Sequence, residues 1–256
     1  MAEFLIWPVL IAYGEAAVAY FGELRGPGIS GRLATWGVRL GWLAQTTLLV
    51  AQALGADAFP WGTWAGALNL LSWLVVSAYL VWGCKPHYRL LGLAVMPIAL
   101  GLLAGAWLGG GTGVDENDPA GVALALHVVL MLAAFAGCTV AAGMAALFLW
   151  EERRLKRRDA AVLRLRLHPL EALDRLAARV AVVTFVFLTA GIAVGLASFK
   201  RGDFDIAMAV SLALWGVYAA AVVLRREVSL RGRRLAWLLL IAFVIAAVLL
   251  PVTHFA

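Results

Sequence analysis

A chain of 256 residues that is 64% apolar and 14% charged, with a mean hydropathy of +0.91, is far more apolar than a soluble domain needs for its core. The bilayer is therefore the solvent to reason with, and at about 20 residues per crossing one packed helical domain uses the whole length. A formal charge of +6 and a pI near 9.8 do not indicate nucleic acid here, because the Lys and Arg fall between apolar runs and act as topology signals.

Apolar runs long enough to cross a membrane lie at about 3–23, 36–54, 63–83, 89–108, 120–150, 177–199, 205–224 and 234–253, separated by Gly, Pro or charge. The expected fold is an all-α, polytopic membrane bundle of about eight transmembrane helices. Met1 to Tyr20 has no basic n-region and no small-residue cleavage site, so it reads as a first span. Linkers after spans one, three, five and seven, with the adjoining helix ends, hold nineteen of the 21 Lys and Arg; Lys200 and Arg201 lie on the other side. This asymmetry puts the basic linkers in the cytoplasm and both termini outside, as in a bacterial cytoplasmic membrane. The loop with Asp115, Glu116 and Asp118 is then external. Tryptophans form two belts in the same topology, Trp7, Trp61, Trp64 and Trp107 outside and Trp36, Trp82, Trp150 and Trp237 inside.

Span five runs from Pro119 through LFLWEERRLKRR with no helix breaker, about 40 residues and 60 Å if unbroken, so it projects past the membrane. The single domain 1–256 thus carries a cytoplasmic helical extension and linker at 151–176. After it, Pro169 is expected to open a short amphipathic helix over 169–179, with Leu170, Leu173 and Leu176 on one face, lying along the membrane or against the extension.

Four histidines differ in predicted depth. His87 and His168 fall in Arg-rich cytoplasmic linkers and are solvated. His127 lies about 11 Å inside the outer end of span five, within VALALHVVLMLAAF, where a polar ring needs a partner. That partner is either a neighbouring helix's Ser, Thr or backbone, or a bound metal. His254, near the end of span eight, is by itself a tail histidine. As a pair on one side of the membrane, two neutral imidazoles suit a haem iron, whereas zinc needs three or four ligands.

A second polar layer lies deeper. Glu15 and Gln45 each sit about 13–14 Å from their cytoplasmic ends and are expected to meet, as polar glue between helices or as an inner site. Gln52 and Asn69, with Trp61 and Trp64 of FPWGTW, are candidates for the wall of an outer cavity. The two cysteines, Cys84 and Cys138, form no CxxC pair. No nucleophile elbow, Walker loop, HExxH or dinucleotide fingerprint occurs, so no enzymatic centre is expected. The Lys and Arg at 153–166 make a positive cytoplasmic face suited to anionic lipid or to partner docking.

The runs TWGVRLGWLAQTTLLV, WAGALNLLSWLVVSAYL, LAVMPIALGLL, LHVVLMLAAFAGCTVAAGMAALFLWEERRLKRR, HPLEALDRLAARVAVVTFVFLTAGIAVG and PVTHFA resemble, in this order, the transmembrane cytochrome c assembly family. Within it the chain is most similar to short, eight-span HemX-like members related to the CcsA, ResC and CcmC haem-handling proteins. The resemblance implies non-covalent, b-type haem held or delivered on the outer side during cytochrome c biogenesis, with His127 and His254 as axial ligands and cytochrome c maturation proteins as partners. It also implies two alternatives: a regulator of glutamyl-tRNA reductase and tetrapyrrole synthesis acting through the basic cytoplasmic face, and a haem channel or exporter. This chain departs from larger members at their tryptophan-rich outer loop, where it retains at most Phe204 and Asp205, and from short relatives with a His where it has Gln45.

Overall fold

The computed structural model describes residues 2–23, 29–56, 59–83, 91–112, 121–157, 170–198 and 206–255, with the side chains of residues 2, 3, 23, 29, 82, 83 and 198 and those beyond Ala247 excepted. Cys84, His87, the acidic loop at 115–118, Pro119, His168, Pro169, Lys200, Arg201, Phe204 and Asp205 lie outside the described residues. Among the described residues a 3₁₀ turn at Ala2–Leu5 is followed by eight helices: α1 Ile6–Glu23, α2 Ile29–Gly55, α3 Trp64–Gly83, α4 Leu91–Leu108, α5 Val122–Lys156, α6 Leu170–Ser198, α7 Ile206–Glu227 and α8 Arg233–Phe255. Helices satisfy their own backbone polar groups, as a hydrocarbon solvent demands. Five of them, α3 to α7, are long and apolar enough to cross a membrane, and α1 carries a shorter apolar stretch, Ile6–Gly22. The chain is a multi-pass helical membrane protein.

It divides into two compact units, α1–α4 and α5–α8. In each, every helix packs on the next and the last closes against the first, the ring arrangement of a four-helix bundle.

In the first unit, small residues let α2 approach α1: a Cβ at Gly37 would lie 3.1 Å from the Ala12 carbonyl oxygen, and one at Gly41 2.6 Å from the Tyr13 ring. Two indoles hold α2 to α3. Trp42 and Trp73 stack at 5.8 Å with their planes 17° apart, and their N–H groups donate to Ser77 Oγ and Thr46 Oγ1, each at 2.8 Å. Ser72 Oγ donates to the Ala99 carbonyl at 2.9 Å, tying α3 to α4.

The second unit is built around α5, whose 35 residues span about 52 Å. Its contacts with α6 run in opposite numerical directions, Met131 against Gly191 and Gly137 against Thr184, so the two helices are antiparallel. Between α7 and α8 the chain turns at Gly232, whose φ of +64° favours glycine. Asp174 of α6 fastens this turn: its Oδ1 accepts from the Gly232 N–H at 2.7 Å, and its Oδ2 pairs with Arg225 of α7 at 2.8 Å.

One expectation is corrected. Leu170, Leu173 and Leu176 do not lie on a separate surface helix, because α6 begins at Leu170 and runs unbroken to Ser198. Leu173 and Leu176 are buried in the second unit. Extending an antiparallel contact buries this apolar face without a break in the backbone ladder.

Candidate functional site

The first unit encloses a chain of polar side chains. Gln45, Gln52 and Asn69 are all fully buried. The Tyr13 hydroxyl donates to Gln45 Oε1 at 2.7 Å, and Gln45 Nε2 donates to both the backbone oxygen and Oδ1 of Asn69 at 3.1 Å. Asn69 Nδ2 donates to Gln52 Oε1 at 3.0 Å, Gln52 Nε2 to the Gly111 carbonyl at 3.2 Å, and the Trp61 indole to Gln52 Oε1 at 3.3 Å. Asn69 is the hub, joining α2, α3 and the turn after α4.

Glu15 is outside this chain. It is exposed, because a residue two positions from Tyr13 is rotated about 200° around α1. The partner of Gln45 is the Tyr13 phenol, which sequence reasoning missed. Equal depth does not mean a shared face. Of the proposed cavity residues, Trp61 and Asn69 come together through Gln52, whereas Trp64, 47% exposed, covers Gly109 with its ring edge.

The second unit presents the candidate ligand. His127 is half-buried on α5, and its Nδ1 lies 2.8 Å from the Gly191 carbonyl oxygen of α6. A carbonyl only accepts, so Nδ1 carries the proton and a neutral imidazole has its lone pair on Nε2. The ring also lies on Gly195, where a Cβ would be 2.8 Å from both Nδ1 and Cε1. Gly191 and Gly195, one turn apart in GIAVG, thus provide the acceptor and the space for this imidazole. A ring nitrogen held by a backbone carbonyl, with the other left basic, is how proteins orient a metal-ligating histidine.

His254 lies in the last turn of α8, and its side chain is outside the described residues. Its backbone depth follows from the contacts. Antiparallel pairing through α6 and α7 makes α8 antiparallel to α5, and a Cβ at Gly232 would lie 3.5 Å from Phe148 Cζ, which sets the start of α8 beside that part of α5. From there His127 lies 21 residues back along α5 and His254 22 residues forward along α8, or about 32 and 33 Å. Both histidines sit at one level, at the end of the unit opposite its arginines. Among the described residues no three His, Cys, Asp or Glu side chains cluster to hold a bare metal ion. Two histidines on separate helices with backbones at a similar depth are a residue set that could hold haem.

A bundle of apolar helices, one of them carrying an imidazole oriented by a neighbouring backbone carbonyl, defines a multi-pass helical membrane protein. Residues 119–250 match the family described as cytochrome C assembly protein, and the chain belongs to that family. It is 32% identical over 150 residues to the cytochrome c biogenesis protein CcsA of Picosynechococcus sp., covering 57% of this chain and 43% of that protein. The CcsA proteins of Trichormus variabilis and Nostoc sp. are each 29% identical over 122 residues, covering 46% of this chain and 35% of theirs. The chain thus spans less than half the length of these curated relatives. No solved structure matches. The family match covers α5 to α8 almost entirely and leaves α1 to α4 outside.

Proposed function

We propose that this protein holds haem at the extracytoplasmic end of α5 and α8 during cytochrome c biogenesis, with His127 and His254 as its axial ligands. The observation that carries the reading is the 2.8 Å contact from His127 Nδ1 to the Gly191 oxygen, which selects the tautomer with a basic Nε2. The common depth of the two backbones supports it, as does the resemblance to proteins named for cytochrome c biogenesis.

In this reading Gly191 accepts the Nδ1 proton and thereby makes Nε2 the better donor toward a metal. Gly195 leaves the ring room against α6. Val122, Leu124 and Leu126, in the same first turns of α5, are exposed apolar side chains. Haem, when bound, would supply an iron that takes nitrogen ligands, with His127 and His254 as the residues that would hold it. The protein supplies location and orientation, holding the cofactor where a maturation partner can take it.

The test is the absorbance spectrum of detergent-purified protein with its haem stoichiometry. A Soret band is expected in the wild type, shifted or lost in both His127→Ala and His254→Ala. Wild-type spectra in both variants would remove these residues as ligands.

A further inference from the structure

The arginine-rich end of the second unit carries a cleft of about 380 Å³, between α6, α7 and the start of α8. Its polar rim is Arg175, Arg179, Arg225, Arg226 and Arg231, over a floor that includes Ala178, Ala181, Ala221 and Val222. Two of the five arginines are matched: Arg225 pairs with Asp174 at 2.8 Å, and Arg175 lies 3.7 Å from Glu171. Among the described residues Arg179, Arg226 and Arg231 have no carboxylate partner. The cleft thus concentrates about three uncompensated positive charges over an apolar floor, and Asp174 holds its geometry by fastening the α7–α8 turn.

The floor continues onto membrane-facing apolar side chains, with Val182, Val183 and Val186 on α6 and Val223 and Leu224 on α7 all exposed. The 29 residues of α6 extend about 43 Å, some 13 Å more than a hydrocarbon core. Its first turns, with Arg175 and Arg179, therefore stand at headgroup level. Trp237 of α8, 41% exposed and about one turn beyond Arg233, marks the same interface.

We propose that this cleft binds the phosphate headgroup of an anionic phospholipid, with its acyl chains running along the apolar faces of α6 and α7. Basic pockets between membrane helices on the cytoplasmic side suit such headgroups, whose phosphate the guanidinium forks meet at two oxygens. A zwitterionic choline headgroup brings its own cation against the arginines and is disfavoured. A free phosphate gains nothing from the apolar track, so a phospholipid uses the whole site.

Native mass spectrometry of the full chain in detergent, titrated with cardiolipin, phosphatidylglycerol or phosphatidylcholine, tests the site. The expected result is one retained anionic lipid per chain, with at least tenfold preference over phosphatidylcholine. Each free arginine is expected to contribute about fivefold. Arg179→Gln, Arg226→Gln and Arg231→Gln combined should abolish the preference, each alone should lower it severalfold, and Lys at the three positions should retain most of it. Removing charges distant in sequence, as Arg32→Gln and Arg39→Gln of α2, should leave it intact. Undiminished preference in the combined Gln variant and in each single variant overturns the proposal. Equal loss in the distant variant reduces the effect to net charge and overturns it too, and so does displacement of cardiolipin by equimolar inorganic phosphate.

Discussion

Replacing Asn69 by Ala removes the hub of the first unit's polar chain. Three bonds disappear: Asn69 Nδ2 to Gln52 Oε1 at 3.0 Å and to the Gly111 carbonyl at 3.4 Å, and Gln45 Nε2 to Asn69 Oδ1 at 3.1 Å. Interhelical hydrogen bonds in membrane proteins contribute about 0.6 kcal/mol on average and up to roughly 1.7. Deleting the amide at a fully buried position also leaves a small void, costing about 1 kcal/mol more. Two groups keep a partner in the variant, Gln45 Nε2 on the residue 69 carbonyl and Gln52 Oε1 under the Trp61 indole. The sum is about 2–3 kcal/mol, or a fall of about 5–10 °C in the melting temperature of a chain this size. Circular dichroism and tryptophan fluorescence in detergent both report the transition. As a control, Thr47→Ala removes an exposed hydroxyl bonded only to Leu43 of its own helix and should change stability by under about 0.5 kcal/mol. An Asn69→Ala midpoint within 2 °C of wild type would refute the claim that the chain of amides holds α2 to α3.

Tyr13→Phe deletes the hydroxyl that serves Gln45 and should cost about 1–2 kcal/mol, whereas Glu15→Gln, on an exposed face, should cost under about 0.5 in the same unfolding assay. The reverse ranking would restore Glu15 as the partner. Asp174→Ala leaves Arg225 unpaired and the Gly232 N–H without its acceptor; since the paired side chains are 21% and 9% exposed, a loss of about 2–3 kcal/mol is expected, and about half of that for Asp174→Asn, which keeps an acceptor. A midpoint unchanged by Asp174→Ala would show that the α7–α8 turn is held by packing alone. Gly195→Ala places a methyl 2.8 Å from the His127 ring, so the imidazole must turn; the Soret band should shift while stability falls by no more than about 1–3 kcal/mol. An unaltered spectrum would remove Gly195 as a support of the ligand.

The helices were legible because each needs a run of apolar side chains the length of a bilayer, and no soluble core explains so many. Their ends were less so. The run expected at 36–54 is α2 from Ile29, because Arg32 and Arg39 lie on the helix; Arg39 covers the exposed Trp36 ring at 5.6 Å, an apolar stem with a charged head at the interface. Counting residues gave the depth of Gln45 but not the direction it faces, and so paired it with Glu15. The stripe Gly37, Gly41, Gln45 did hold that information: small residues at i, i+4 mark the face on which a helix is approached closely, and Gln45 follows on it. GIAVG carried the same signal for His127. The Asp174–Arg225 pair was not recoverable, since it joins residues 51 apart whose contact depends on how two helices cross.

The described contacts that orient His127 lie within the segment matched to the cytochrome c assembly family, since Gly191 and Gly195 both fall between residues 119 and 250. The approach of Gly232 to Phe148 lies there as well. His254 lies four residues beyond that segment, yet its depth follows from the segment alone, because α8 continues as a helix through Phe255. The matched helices therefore contain the orientation of the His127 imidazole and set the level of the His254 backbone. The buried amide chain of the first unit contributes to neither. Its residues are hydrogen-bonded to one another, which is the behaviour of structural glue, whereas His127 is held through Nδ1 on the Gly191 carbonyl of a neighbouring helix.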